Sequence, residues 1–280
     1  MEPTTLDTDD GLALHLRHWH VASARGTVLI VHGLGEHIGR YAHVAARLNA
    51  NGWRVVGHDQ RGHGRSAGAR GALAHGDDLL RDLARVIDAT RVAGPLVLLG
   101  HSMGGLIAAR FVAESLQAQP AAWHRGVDAL VLSSPALDLG MNLAQKALLA
   151  ALGPLAPNLA LGNGLEPAWI SRDPAVVAAY VADPLVHDRV TPRLVRFIVD
   201  GGAFALGKAP AWTLPTLLLW AGSDRCVAPA GSRAFAAAAP PGVVRAHCFE
   251  ALFHEIFNEP EQGEVLARLD EWLAMASGLH

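Results

Sequence analysis

The sequence predicts an α/β fold, with a mostly parallel central sheet, helices on both faces and an inserted helical cap. Three observations predict it. Short runs rich in Val, Leu and Ile, at residues 27–32, 53–58, 96–100 and 129–133, alternate with helical patterns, as βαβ units around a buried parallel sheet require. From Pro135 to about Pro210 this rhythm breaks into short helical patterns punctuated by Pro and Gly. Strand signals then resume at 215–221 and 243–249, and an amphipathic helix closes the chain. The expected organisation is a core from residues 1–134 and 211–280 around a cap at 135–210.

Each element has a local reason. Residues 11–19 and 27–32, joined by a small polar connection at 22–26, read as an antiparallel hairpin at the start of the sheet. A helix follows at about 40–50, with Tyr41, Val44, Ala45 and Leu48 at i, i+3, i+4 and i+7, and Asn51-Gly52 ends it. Leu79, Leu80, Leu83, Val86 and Ile87 form one stripe of the next helix, and Gly94-Pro95 leads into the apolar strand at 96–100. A further helix starts at Met103. The alanines at 234–239 are helix formers, and the last helix turns Val265, Leu266, Leu269, Trp272 and Leu273 inward.

Composition narrows the function. The chain has 280 residues, 51% hydrophobic and 18% charged, with a net charge of −3. No Lys/Arg block runs along any segment, so nucleic acid is not an expected partner. No apolar stretch is long enough to span a bilayer. Two cysteines, Cys226 and Cys248, and a start without a secretory pattern fit a cytoplasmic protein with reduced thiols.

The most specific chemical signal is Gly100-His101-Ser102-Met103-Gly104, between an apolar strand and a helical pattern. A tight strand-to-helix turn strains the backbone at the serine and crowds its neighbours, which is why glycine belongs two residues before and two after. Such a serine needs a general base, and the base needs an acid to hold one tautomer. In chain order these partners are Asp224, in Gly222-Ser223-Asp224 just past a strand, and His254, in the loop after the last strand. Asp138 competes as the acid and His247 as the base. Asp138 opens the cap, whereas His247 lies within a strand and points at a sheet face. Glu255 reads as a solvated charge.

A second glycine cluster, His32-Gly33-Leu34-Gly35-Glu36-His37, follows the strand at 28–31. Read as a dinucleotide loop, with Asp59 as the ribose-binding acid, it departs from the usual spacing and places Glu36 where pyrophosphate would sit. The better reading aims the Leu34 amide at a developing oxyanion, with the Met103 amide as the second donor. No metal or organic cofactor is implied.

With these residues assembled, the chain resembles the monoacylglycerol lipase and lysophospholipase branch of the α/β-hydrolases. The likeness rests on residues 32–41 (HGLGEHIGRY), 58–66 (HDQRGHGRS) and 100–105 (GHSMGG), together with the Gly-Ser-Asp turn and His254. It implies an α/β-hydrolase fold and a serine hydrolase cleaving carboxylic esters that carry one acyl chain, with Ser102, Asp224 and His254 as triad and Leu34 and Met103 as oxyanion donors. It also implies that Glu36 and Arg40 pair near the pocket and buttress the oxyanion loop; the alternative is an ordinary i, i+4 ion pair at a helix start. Asp59, Gly62, His63 and Gly64 look structural. The expected partner is a small acyl ester, with at most transient membrane-surface contact through leucines of the cap segment 143–161. A short-chain carboxylesterase, a prolyl-aminopeptidase-like enzyme and a non-catalytic receptor for a small ligand stay open as alternatives.

Overall fold

The computed structural model describes residues 4–276. Its first half runs β1 (Thr5–Asp7), β2 (Ala13–Trp19), β3 (Thr27–Val31), α1 (Ala42–Ala50), β4 (Arg54–His58), α2 (Asp78–Thr90), β5 (Leu96–His101), α3 (Met103–Ala113) and β6 (Ala129–Ser133). Then come α4 (Leu143–Leu155), β7 (Leu161–Gly162), α5 (Pro174–Ala182), β8 (Arg189–Val190) and α6 (Pro192–Lys208). The chain ends with β9 (Thr216–Ala221), α7 (Pro229–Ala238), β10 (Val244–Phe249) and α8 (Gln262–Ala276).

Eight strands form one sheet in the order β1-β2-β4-β3-β5-β6-β9-β10. The six from β4 to β10 are parallel, and β1 and β2 add an antiparallel edge. One expectation is corrected here: β2 and β3 do not form a hairpin. Strand β2 pairs with β1 and β4, while β3 lies between β4 and β5. The burial of the two strands explains it. All five residues of β3 are buried, which suits a central strand, whereas β2 is partly exposed and suits a place near the edge.

Side-chain alternation along the strands divides the core in two. Leu29, Leu98, Leu130 and Leu218 pack with buried residues of α2, α3, α6 and α7. On the other face Ile30, Val97, Val131 and Leu219 pack with α1 and α8. The 135–210 segment is not uniform. Helix α6 buries Leu194, Phe197, Ile198 and Ala205, and it lies so close to α3 that a Cβ on Gly201 would touch the Leu106 side chain. Helix α4 has no buried residue, and Leu143 (85% exposed) and Leu155 (82%) face outward. Among the described residues no helix is long and apolar enough to cross a membrane.

Candidate active site

Parallel strands gather their following loops at one sheet edge, where doubly wound folds place ligands. The loops after β3, β5, β9 and β10 supply Leu34, Ser102, Asp224 and His254 respectively.

Ser102 sits between β5 and α3 at φ 54°, ψ −122°, in a region that L-residues other than glycine seldom enter. Its glycine neighbours make the turn possible. A Cβ on Gly100 would run into the Gly104 carbonyl, and one on Gly104 into the carbonyl oxygens of Val31 and His32. The turn is thus closed on itself and pressed against the end of β3.

The structure brings the serine, histidine and aspartate into one row. Ser102 Oγ lies 2.8 Å from His254 Nε2, and His254 Nδ1 lies 2.7 Å from Asp224 Oδ2. The other Asp224 oxygen accepts from the amides of Cys226 (2.8 Å) and Val227 (3.1 Å). Burial opposes the charge on Asp224, but His254 and these amides outweigh it and hold the carboxyl below its ordinary range. An ionised carboxylate can only accept, so Nδ1 carries the proton and Nε2 is left to accept from the serine hydroxyl. For His254, burial disfavours the imidazolium. Asp224, by charge and hydrogen bond, and then Glu255 and Glu36 more than offset this, so the pKa is raised above 6.5.

The competing residues lie elsewhere. Asp138 is exposed, and its carboxylate accepts from the Gly140 amide in a local turn. The His247 ring packs edge-on against Phe249 in β10.

Leu34 lines a cavity in front of Ser102 together with His254, Leu165, Pro167, Ile170 and Tyr180. Met103 is the first residue of α3, so its amide has no acceptor within the helix. The loop that carries Leu34 is pinned at both ends. His32, kept neutral by burial, accepts from the Gln60 amide (2.9 Å) and so donates Nδ1–H to the Gly33 carbonyl (2.8 Å). The Gly33 amide donates to Glu36 Oε1 (2.6 Å). The Glu36 side chain therefore fills the turn, which rules out the dinucleotide reading. Asp59 is structural, accepting from the amides of Ile38 and Arg65, while Gly62 and Gly64 take positive φ in the turn beside it.

Glu36 and Arg40 do pair, at 3.0 Å, but not as a solvated helix-start pair, because both side chains are almost fully buried. Glu36 also accepts from the Tyr41 hydroxyl (2.6 Å). Glu255 is not the solvated charge the sequence suggests: it is 5% exposed and takes both ends of the Arg40 guanidinium. Sequence reasoning missed it because a carboxylate beside the base looks like surface until its cation, 215 positions away, is known. Also missed was Tyr180 of α5, whose ring stacks on Arg40 at 4.8 Å.

Donor atoms of Asp224, Cys226 and His254 lie within 4.8 Å of one another, close enough to share a cation. The row already uses Asp224 and His254 on each other, and burial together with Asp224 and Glu255 pushes the Cys226 thiol up, away from the thiolate a metal needs. Cys226 and Cys248 are free.

A family model described as serine aminopeptidase S33, Hydrolase_4, matches residues 22–261. The chain belongs to this family. It is an α/β-hydrolase, as the sheet order and the strand-turn-helix at Ser102 require. Among curated relatives of this family member, a monoacylglycerol lipase of Mycolicibacterium smegmatis is 37% identical over 255 residues, spanning 89% of this chain and 88% of its own. The phospholipase YtpA of Bacillus subtilis is 30% identical over 88% of this chain and 94% of its own. Among solved structures, the monoacylglycerol lipase of Paleococcus ferrophilus superposes with a TM-score of 0.84 at 33% identity, covering 94% of this chain and 99% of that one. The resemblance to the monoacylglycerol lipase branch is therefore met by relatives matched over most of their length.

Proposed function

We propose that the chain hydrolyses carboxylic esters carrying a single acyl chain, of the monoacylglycerol or lysophospholipid type, through an acyl-enzyme on Ser102. The observation that carries this reading is the hydrogen-bonded row Ser102–His254–Asp224 at the sheet edge. Relatives named as a monoacylglycerol lipase and a phospholipase support the substrate class.

The chemistry follows from the atoms. Ser102 Oγ attacks the ester carbonyl as its proton passes to His254 Nε2, and Asp224 stabilises the imidazolium that forms. The carbonyl oxygen becomes negative between the amides of Leu34 and Met103, donors of a kind typically worth about 3–4 kcal/mol of barrier each. The tetrahedral adduct collapses, the C–O bond to the alcohol breaks, and the leaving oxygen takes the proton from Nε2. Water then repeats the attack on the acyl-enzyme, returns its proton through the same imidazole and frees the acid.

In this reading residues 135–210 form a cap, with α6 as the stem packed on α3 and the segment around Leu165 to Tyr180 as its roof. The cavity before Ser102 is only about 40 Å³. Pockets that enclose small ligands run to roughly 300–1,000 Å³. In this reading an acyl chain enters only after the roof moves away from the serine.

The family description names a peptidase, and Glu166 does line the cavity. Recognition of a free amine would need a cluster of unpaired carboxylates, but of the three glutamates lining the cavity Glu36 and Glu255 are committed to Arg40, which leaves Glu166 without a second. The ester reading is preferred for that reason.

The pH dependence tests the assigned base. The reaction needs neutral His254, and its raised pKa keeps it protonated at lower pH. Hence kcat/KM should climb with pH through a single ionisation above 6.5 and level off once the imidazole is neutral. A profile that is flat from pH 5 to 8 would contradict the assignment.

A further inference from the structure

We propose that Glu255 is a positioning residue which, through Arg40, locks the loop bearing His254 to the loop bearing the Leu34 amide. General base and oxyanion donor are then held at one fixed separation. The inference rests on the catalytic reading given above and adds to it a third member, joined to Glu36 and Arg40 from the far end of the chain.

The connection can be followed atom by atom. The Gly33 amide donates to Glu36 Oε1 (2.6 Å), and Glu36 Oε2 accepts from Arg40 Nη1 (3.0 Å). The same Nη1 reaches Glu255 Oε1, and Nη2 donates to Glu255 Oε2 (2.7 Å). The next residue back is His254. Glu255 is itself fixed, since its Oε2 also accepts from Asn258 Nδ2 (2.9 Å) and its amide donates to the Ile170 carbonyl (2.8 Å). No flexible surface side chain intervenes, because the side chains of Glu36, Arg40 and Glu255 are 4%, 11% and 6% exposed.

Geometry and charge both bear on catalysis. Guanidinium is a planar fork that can serve two carboxylates at once, which an ammonium on a flexible stem cannot match. Two carboxylates against one guanidinium leave an excess negative charge in a buried place beside the base. The groups facing His254 are Asp224 and the protonated Cys226 thiol on the β9 loop, Glu255 on its own loop, Glu36 and Arg40 on the β3 side, and the neutral His101 ring at 4.8 Å. Of these, Asp224, Glu255 and Glu36 favour the imidazolium, the form that must appear as the serine attacks.

Two substitutions separate the contributions. Glu255→Gln keeps the shape and removes the charge. It is expected to lower kcat by about tenfold or more with KM within about twofold, and to move the acid limb of the rate profile to lower pH, because a negative charge beside the imidazolium is lost. Arg40→Lys keeps every charge but cannot span both carboxylates. It is expected to lower kcat without that downward shift. Rates are taken per Ser102 labelled by a fluorophosphonate, so unfolded protein does not enter, and thermal midpoints are recorded alongside. If either variant fails to fold, the other decides.

A lowered thermal midpoint with wild-type kcat and an unmoved acid limb would overturn the proposal and leave an ordinary buried ion pair. Failure of the underlying reading looks different: Ser102→Ala would then remain active and wild type would not be labelled.

Discussion

Replacing Ser102 by alanine is expected to lower kcat by roughly 10⁵- to 10⁶-fold while leaving the thermal midpoint unchanged or slightly raised. The magnitude follows from removing the nucleophile of a unit whose members act together. The stability expectation has a separate cause. Ser102 holds a positive-φ conformation whose strain alanine inherits, but its hydroxyl makes one hydrogen bond within the row, so little folding energy depends on it. Asp224→Asn should cost about 10⁴-fold in kcat, since an amide can leave the imidazole in the wrong tautomer without altering the shape of the site. Loss of fluorophosphonate labelling in Ser102→Ala, with labelling retained by wild type, assigns the residue and removes the non-catalytic receptor reading. Ser102→Ala activity within tenfold of wild type would contradict the account.

The largest effect on folding is expected at Gly104. A methyl group there meets the carbonyl oxygens of Val31 and His32, which belong to the end of β3 and its pinned loop, so no flexible side chain can yield. Overpacking against backbone at this place should cost about 3 kcal/mol or more. For a chain of this size that lowers the thermal midpoint by roughly 6 °C or more. Gly126→Ala is the control: its Cβ meets nothing within 4 Å, and stability should stay within about 0.5 kcal/mol. A Gly104→Ala protein as stable as that control would show that the serine turn is looser than its geometry implies.

The parallel core was legible because its strands are buried on both faces and therefore read as unbroken apolar runs; β5 and β6 fall within a residue of where the pattern puts them. The pairing of β2 was not legible. Two neighbouring runs with a short connection suggest a hairpin, and only competition among all strands for the central positions sends β3 inward and leaves β2 next to the edge.

Ser102, Asp224 and His254 could be found in the sequence because each follows a strand in the parallel core, and such strands deliver their loops to one edge. The Arg40–Glu255 contact could not be found that way. It joins residues that no local pattern relates, and its two partners look like solvent-exposed charges until burial is known. Residues 135–210 were the least readable part. Their helices carry leucines at helical spacing, but spacing does not say which of them point at the core, and α4 turns Leu143, Leu148 and Leu155 to the outside.

The central claim is that this row of residues cleaves single-acyl esters. The most direct test is hydrolysis of a matched panel by wild type and Ser102→Ala side by side. The panel comprises 1-monoacylglycerols and p-nitrophenyl esters with acyl chains of about two to sixteen carbons, together with a prolyl amide. The account predicts that long-chain monoacylglycerols give the highest kcat/KM, that the amide is not cleaved, and that Ser102→Ala is inactive throughout. Turnover confined to short activated esters, or preferential cleavage of the prolyl amide, would contradict it.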